Sequence, residues 1–341
     1  MIPRITATRQ VPAWQVELSR AISDPAALLQ QLDLGPEWLP GARAAAALFP
    51  LRVPRGFVGR MRRGDPHDPL LAQVLPLHRE LAATPGFGSD PVGDLHAMKV
   101  PGVLHKYHGR VLLVTTGACA VHCRYCFRRH FPYGEANPAG GHWSRALEHI
   151  AADASIEEVI LSGGDPLLLS DGKLAALASA LEAIPHVRRL RVHSRLPVVL
   201  PERVDESLLG WLADRRLRTV VVIHDNHPEE IDASVAAACR RMAAAGIDLL
   251  NQSVLLKDVN DSPETLIALS ERLFEARVLP YYLHLLDRVA GAAHFSVDAD
   301  RAQELAGRLQ ARLPGYLVPR LVRELPGAPA KTAVAAVFSP F

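Results

Sequence analysis

The chain has 341 residues, 49% of them apolar and 22% charged, with a formal net charge of +2 at neutral pH. It is long enough for one large domain with an extension, or for two smaller ones, and its balanced charge gives no case for nucleic acid. No uncharged apolar run reaches bilayer length, and the opening "MIPRITATRQVPAWQ" lacks the apolar centre of a signal peptide, so no membrane contact and a cytoplasmic location are the expectations.

Residues 1–100 read as a helical extension punctuated by proline. "DPAALLQQLDL" and "DPLLAQVLPLHREL" carry apolar residues at helical spacing, each opened by Asp-Pro, an N-cap followed by a first-turn proline. Beyond Pro101 short β-rich runs alternate with Ala/Leu-rich helical stretches. The expected strands are "RVLLVTT", "EEVILSGG", "RRLRVHS", "RTVVVIH", "IDLLNQSVLL" and "LPYYLHLL", with "YLVPRLVREL" a further candidate. "GKLAALASALEAI", "ASVAAACRRMAAAG" and "PETLIALSERLFEAR" are helices between them.

Strand–helix repetition implies a parallel sheet with crossover helices. The fold class is therefore α/β, an incomplete (β/α)6 TIM-like barrel over 101–316, followed by a C-terminal strand and loop over 317–341. Chemistry in such barrels gathers at the C-terminal ends of strands. Polar groups recur there: a cysteine loop after the first strand, then "SGGDP", "HSR", "HDNH", "NQS" and "LHLLD".

The cysteine loop is the strongest local signal. Cys119, Cys123 and Cys126 have the spacing C-x3-C-x2-C, and the only other cysteine is Cys239, in an Ala-rich helix where a small core residue is expected. In a reducing compartment clustered cysteines point to metal or redox chemistry. A structural zinc site needs four protein ligands, and there is no second paired knuckle. Three thiolates from one loop suit a [4Fe–4S] cluster with one iron left open to a substrate or cofactor.

Here the chain resembles a family. C-x3-C-x2-C after the first strand of a partial barrel is similar to the radical S-adenosylmethionine (SAM) enzymes. "CRYCFRRHFPY", "LSGGDPL", "HSRLPVVLP", "NQSVLLKDVND" and "PYYLHLLDRVAGAAHF" resemble the lysine 2,3-aminomutase branch. "FPLRVPRGFVGRMRRGDPHDPLL", "PGVLHKYHGR" and "GYLVPRLVRELPGAPAKT" are similar to the short aminomutases that serve elongation factor P.

The resemblance implies a cofactor set and roles for named residues. The cluster on Cys119, Cys123 and Cys126 would hold SAM at its open iron, with Ser162, Gly163, Gly164 and Asp165 receiving the methionine end. Gln252, with the neighbouring Asn251 and Ser253, would add polar contacts to SAM or to pyridoxal 5′-phosphate (PLP). Amino migration needs an aldehyde to carry the nitrogen, which PLP supplies, and a lysine to hold PLP at rest. Lysine occurs only at Lys99, Lys106, Lys173, Lys257 and Lys331; Lys331, in the Gly/Pro-rich "LPGAPAKT", matches the family's lysine loop, with Lys257 the runner-up. Lys106, Tyr107, Arg110 and Arg195 are candidates for the PLP phosphate, the family having arginine where this chain has Lys106. Arg128 would grip the substrate carboxylate. Asp287 and Glu324 would receive the distal ammonium, Glu324 replacing the aspartate of free-lysine enzymes.

The implied activity is conversion of (S)-α-lysine to (R)-β-lysine for attachment to elongation factor P. The implied partners are a flavodoxin- or ferredoxin-type electron donor and a functional link to the factor and its lysine ligase. Free-lysine aminomutases continue past the PLP lysine with a zinc-binding, cysteine-bearing tail; this sequence has no cysteine after Lys331, so no zinc is expected. The rivals are an aminomutase of catabolism or secondary metabolism, and a non-catalytic iron–sulfur protein.

Overall fold

The computed structural model describes residues 11–136 and 143–338. Ten strands form one sheet in sequence order. They are β1 (Met98–Val100), β2 (Val103–Tyr107), β3 (Arg110–Thr116), β4 (Glu158–Gly163), β5 (Arg189–Ser194), β6 (Arg218–Ile223), β7 (Asp248–Leu255), β8 (Leu279–Leu285), β9 (Arg320–Arg323) and β10 (Thr332–Ala333). β3 through β9 are parallel, and β1, β2 and β10 are antiparallel to their neighbours. The sheet ends at β1 and β10 without closing, so the partial barrel expected from the sequence is present, carried by seven parallel strands.

The burial patterns follow from this topology. β4 is buried along all but its last residue, as a strand covered on both faces should be. β5 and β7 alternate strictly. Leu190, Val192 and Leu249 point into the apolar layer shared with the helices, while Arg191, His193 and Gln252 occupy the other, half-buried face.

The crossover helices open as their caps dictate. Asp205 accepts from Leu208 N at 2.8 Å, Asp232 from Val235 N at 2.9 Å and Ser262 from Thr265 N at 3.1 Å. In the N-terminal segment Asp68 accepts from Leu70 N and Leu71 N at 2.9 and 2.8 Å, as the Asp-Pro signal implied. That helix is only Pro69–Ala72, far shorter than the apolar spacing suggested. Pro76 follows closely and cannot donate to a helix. Trp14, Leu28, Phe57 and Leu70 of this segment lie in the same apolar cluster as Leu113, Leu161 and Val221 of the sheet. Among the described residues no helix is long and apolar enough to cross a membrane.

Candidate active site

The cysteine loop follows β3, where the parallel sheet presents its strand ends. Cys119, Cys123 and Cys126 are free and half-buried. Burial, and then neighbouring Cys123, pushes the Cys126 thiol up to about 11; burial, Cys126, Asp165 and Cys123 raise Cys119. The three sulfurs therefore share one neighbourhood. Among the described residues no three Cys, His, Asp or Glu side chains converge on a position for a single ion. A [4Fe–4S] cluster takes its thiolates on separate irons, so three cysteines on one loop fit such a cluster.

The arginines after the first cysteine fasten this loop. Arg124 is fully buried, with Nε and Nη2 on the Glu80 carboxylate at 2.9 and 2.6 Å. Arg129 reaches the same carboxylate at 2.9 Å, and both guanidinium groups lie over the Phe49 ring. Glu80 and Phe49 belong to the N-terminal segment, so that segment anchors the cysteine loop from below.

"SGGDP" lies against the same loop. Gly163 has φ +117°, and a Cβ there would stand 2.7 Å from Thr116 O; one on Gly164 would stand 2.2 Å from Ala118 O. Gly164 N and Asp165 N donate to Thr116 O and Ala118 O at 2.6 and 2.8 Å. The glycines thus allow two backbones to meet. Asp165 accepts from Ser194 Oγ, Arg195 N, Leu196 N and Leu167 N, tying the end of β4 to the end of β5.

Arg195 lies beside the cysteine loop. Its buried guanidinium donates to Cys123 Sγ, Tyr125 Oη and Gln73 Oε1, each at 2.7 Å, and to Glu230 at 2.9 Å. It is committed to the cysteine loop rather than to the hairpin that carries the other phosphate candidates. Asn251 and Ser253 are likewise spent on the Asp225 backbone, at 2.9 and 2.7 Å. Gln252 stands on the opposite face of β7, in register with Tyr282 of β8.

Five charged residues, far apart in sequence, form a chain of alternating sign. Arg128 Nε meets Asp94 Oδ2 at 2.6 Å, and Asp94 Oδ1 meets Lys106 Nζ at 2.6 Å. Lys106 Nζ meets Glu324 Oε1 at 2.9 Å, and Glu324 Oε2 meets Lys331 Nζ at 2.6 Å. Burial works to raise the Glu324 pKa, but Lys331 and Lys106 outweigh it and hold the carboxyl down at about 2. Tyr107 and Arg110 sit beside this chain, the guanidinium 4.7 Å from the ring centre; burial and Glu324 raise the phenol.

Asp287 lies two residues past β8, the sixth parallel strand, near the same lysines. Burial and then Glu324 push its carboxyl up to about 7, against the pull of Lys331 and Lys106. Lys331 Nζ lies 5.8 Å from the Tyr282 ring centre. Burial and Lys331 drive His284 down to about 3, so it is neutral beside the ammonium. Lys257, by contrast, is exposed on a turn. Cys239 is a core side chain, its thiol pushed up to about 12 by burial.

Sequence reasoning missed Gln73, Glu80 and Asp94, which come from the N-terminal segment, and Tyr282 and His284 beneath Lys331. "HDNH" was visible at a strand end; there His224 meets Tyr125 Oη at 2.9 Å.

An open parallel sheet with a three-cysteine loop after its first parallel strand defines the radical SAM class, and residues 113–269 match the Radical SAM superfamily. The chain is 50% identical to the L-lysine 2,3-aminomutase of Escherichia coli (strain K12), over 94% of this chain and 93% of that one. It is 48% identical to that of Haemophilus influenzae, over 98% and 99% of the two chains. The chain belongs to the L-lysine 2,3-aminomutase family. A solved radical SAM methyltransferase from Sphaerobacter thermophilus is a looser likeness, with 17% identity, a TM-score of 0.43, and coverage of 65% of this chain and 68% of that one. Membership carries the cofactor set of the family: a [4Fe–4S] cluster, SAM and PLP.

Proposed function

We propose that this protein converts (S)-α-lysine to (R)-β-lysine by moving the amino group from carbon 2 to carbon 3. The observation that carries the reading is the charge chain from Arg128 to Lys331. It brings Arg128, two lysines and the carboxylates of Asp94 and Glu324 into one continuous site. When bound, SAM at the cluster supplies the radical that takes a substrate hydrogen, and PLP supplies the aldehyde that carries the nitrogen.

The chain's own residues bind and orient. Cys119, Cys123 and Cys126 hold the cluster. Lys331 holds PLP, and Lys106, Tyr107 and Arg110 stand on the β2–β3 hairpin to receive its phosphate. Gln252, across from Tyr282, and the "SGGDP" turn line the side toward SAM. Arg128 grips the substrate carboxylate. Glu324, paired with Lys331 and Lys106 in the ligand-free protein, would receive the substrate ammonium together with Asp287. Asp287, near half-protonation at neutral pH, ionises when that ammonium arrives. Two acids at the distal end favour a diamine over glutamate.

The finer reading is that the product serves elongation factor P and its lysine ligase, in the cytoplasm, with electrons from a flavodoxin- or ferredoxin-type donor. Glu324, longer than the aspartate of free-lysine enzymes, supports it. Anaerobic incubation of the reconstituted protein with L-lysine, SAM, PLP and a strong reductant, followed by chiral chromatography, tests the activity. Formation of (R)-β-lysine is expected; an intact cluster and bound PLP without product would overturn the reading.

A further inference from the structure

We propose that Asp94 is a positioning residue that sets the aim of Arg128 and thereby the recognition of the substrate carboxylate. The inference rests on the reading of Arg128 given above. Asp94 belongs to the N-terminal segment, outside the barrel, and is 2% exposed. Both its oxygens lie against cations, Oδ2 accepting from Arg128 Nε at 2.6 Å and Oδ1 in charge contact with Lys106 Nζ at 2.6 Å.

The choice of nitrogen matters. A guanidinium has two edges that can take a carboxylate side by side. Asp94 occupies the position of Nε, so the inner edge is used and the Nη edge faces away. On that edge the one hydrogen bond among the described residues is a long one, from Nη1 to Ser162 Oγ at 3.3 Å. The guanidinium also stands 4.8 Å from the Phe127 ring centre and 6.0 Å from that of Phe131. Aromatic faces hold a cation near a plane but do not fix its rotation. Asp94 supplies the missing constraint.

Asp94 is itself held. Asp94 N donates to Asp90 Oδ1 at 2.9 Å. The preceding Gly93 has φ +68°, and a Cβ on it would stand 3.4 Å from Pro326 Cβ, in the loop that leads to Lys331. The carboxylate therefore sits between the element that carries Arg128 and the loop that carries Lys331. Its second contact is to Lys106, which keeps Glu324 as a partner of its own at 2.9 Å.

The test is calorimetric binding of two ligands to the PLP-loaded protein without SAM. L-Lysine has the carboxylate that Arg128 would hold; 1,5-diaminopentane has both amines and no carboxylate. Asp94→Asn keeps the shape and removes the charge. It should weaken lysine about tenfold or more and leave diaminopentane within about twofold. Asp94→Glu keeps the charge but displaces it, and should show the same selective loss; it serves where the asparagine variant does not fold. Equal weakening of both ligands, or of neither, would overturn the inference and leave Asp94 a structural residue. Wild-type protein that binds lysine no better than diaminopentane would instead remove the role of Arg128 on which the inference stands.

Discussion

Lys331 Nζ and Glu324 Oε2 stand 2.6 Å apart because β9 and β10 pair in a register that sets them opposite each other. Thr332 faces Arg323 and Ala333 faces Val322, and one more step along that pairing brings Lys331 to Glu324. Cross-strand neighbours of opposite charge attract, and here the pair is part-buried and shared with Lys106. The lysine proposed to hold PLP is thus delivered by a two-residue strand at the open edge of the sheet.

Lys331→Ala should leave a folded protein that retains no PLP after gel filtration, while iron content is unchanged. Borohydride reduction of the wild type should place the pyridoxyl group on the peptide containing "AKTAVAAVF". A label on Lys257 or Lys106 would contradict the role of Lys331.

Cys123→Ala should abolish the broad visible absorption of a [4Fe–4S] cluster and the cleavage of SAM, with the fold kept. A cluster held by two thiolates is lost, and Arg195 retains Glu230 and Gln73 as partners when the sulfur is removed. Full iron content and activity in this variant would remove the cluster from this loop.

Asp287→Asn should lower lysine turnover by roughly two to three orders of magnitude, since losing one partner of a buried charged contact costs about 3–5 kcal/mol. Iron and PLP content should not change, because neither is held by this residue. Near-normal turnover would mean that the ammonium is held elsewhere.

The raised pKa of Asp287 fixes a pH dependence. A bound ammonium favours the ionised carboxylate, so lysine affinity should rise with pH up to about 7, where Asp287 titrates in the free protein, and level off above it. Glu324, held at about 2, stays ionised throughout and adds no slope. Asp287→Asn should flatten the profile between the two limits. The folding linkage has the opposite sign: the folded protein binds this proton more tightly than the unfolded chain. That contribution to stability is complete below the ordinary carboxylate pKa and is lost as pH rises through about 7. Lysine binding measured in steps across neutrality checks the first, and urea unfolding of the ligand-free protein checks the second.

Much of the barrel was legible because its strands are β-branched runs ended by polar groups, a pattern with few alternatives. β1 and β2 were not, since Met98–Val100 and Val103–Tyr107 are short and mixed in polarity, with the turns at Gly102 and Gly109 their local marks. The cysteines and Lys331 could be read because each is rare in this chain and set in a motif. Asp94 and Glu80 could not be read, because their partners lie 34 and 44 residues away and depend on how the N-terminal segment docks. Arg195 was legible as a buried polar group at a strand end, but its partners were not. Glu230 and Gln73 reach it from two other parts of the chain, and no local pattern announces that meeting.

The central claim is that the α-nitrogen of lysine moves to the neighbouring carbon without passing through solvent. L-Lysine labelled with ¹⁵N at its α-nitrogen, incubated anaerobically with the reconstituted enzyme, SAM and a reductant, tests it most directly by NMR of the product. The account predicts β-lysine with the label retained on carbon 3. Label lost to solvent, or no β-amino product from an enzyme with intact cluster and bound PLP, would contradict it.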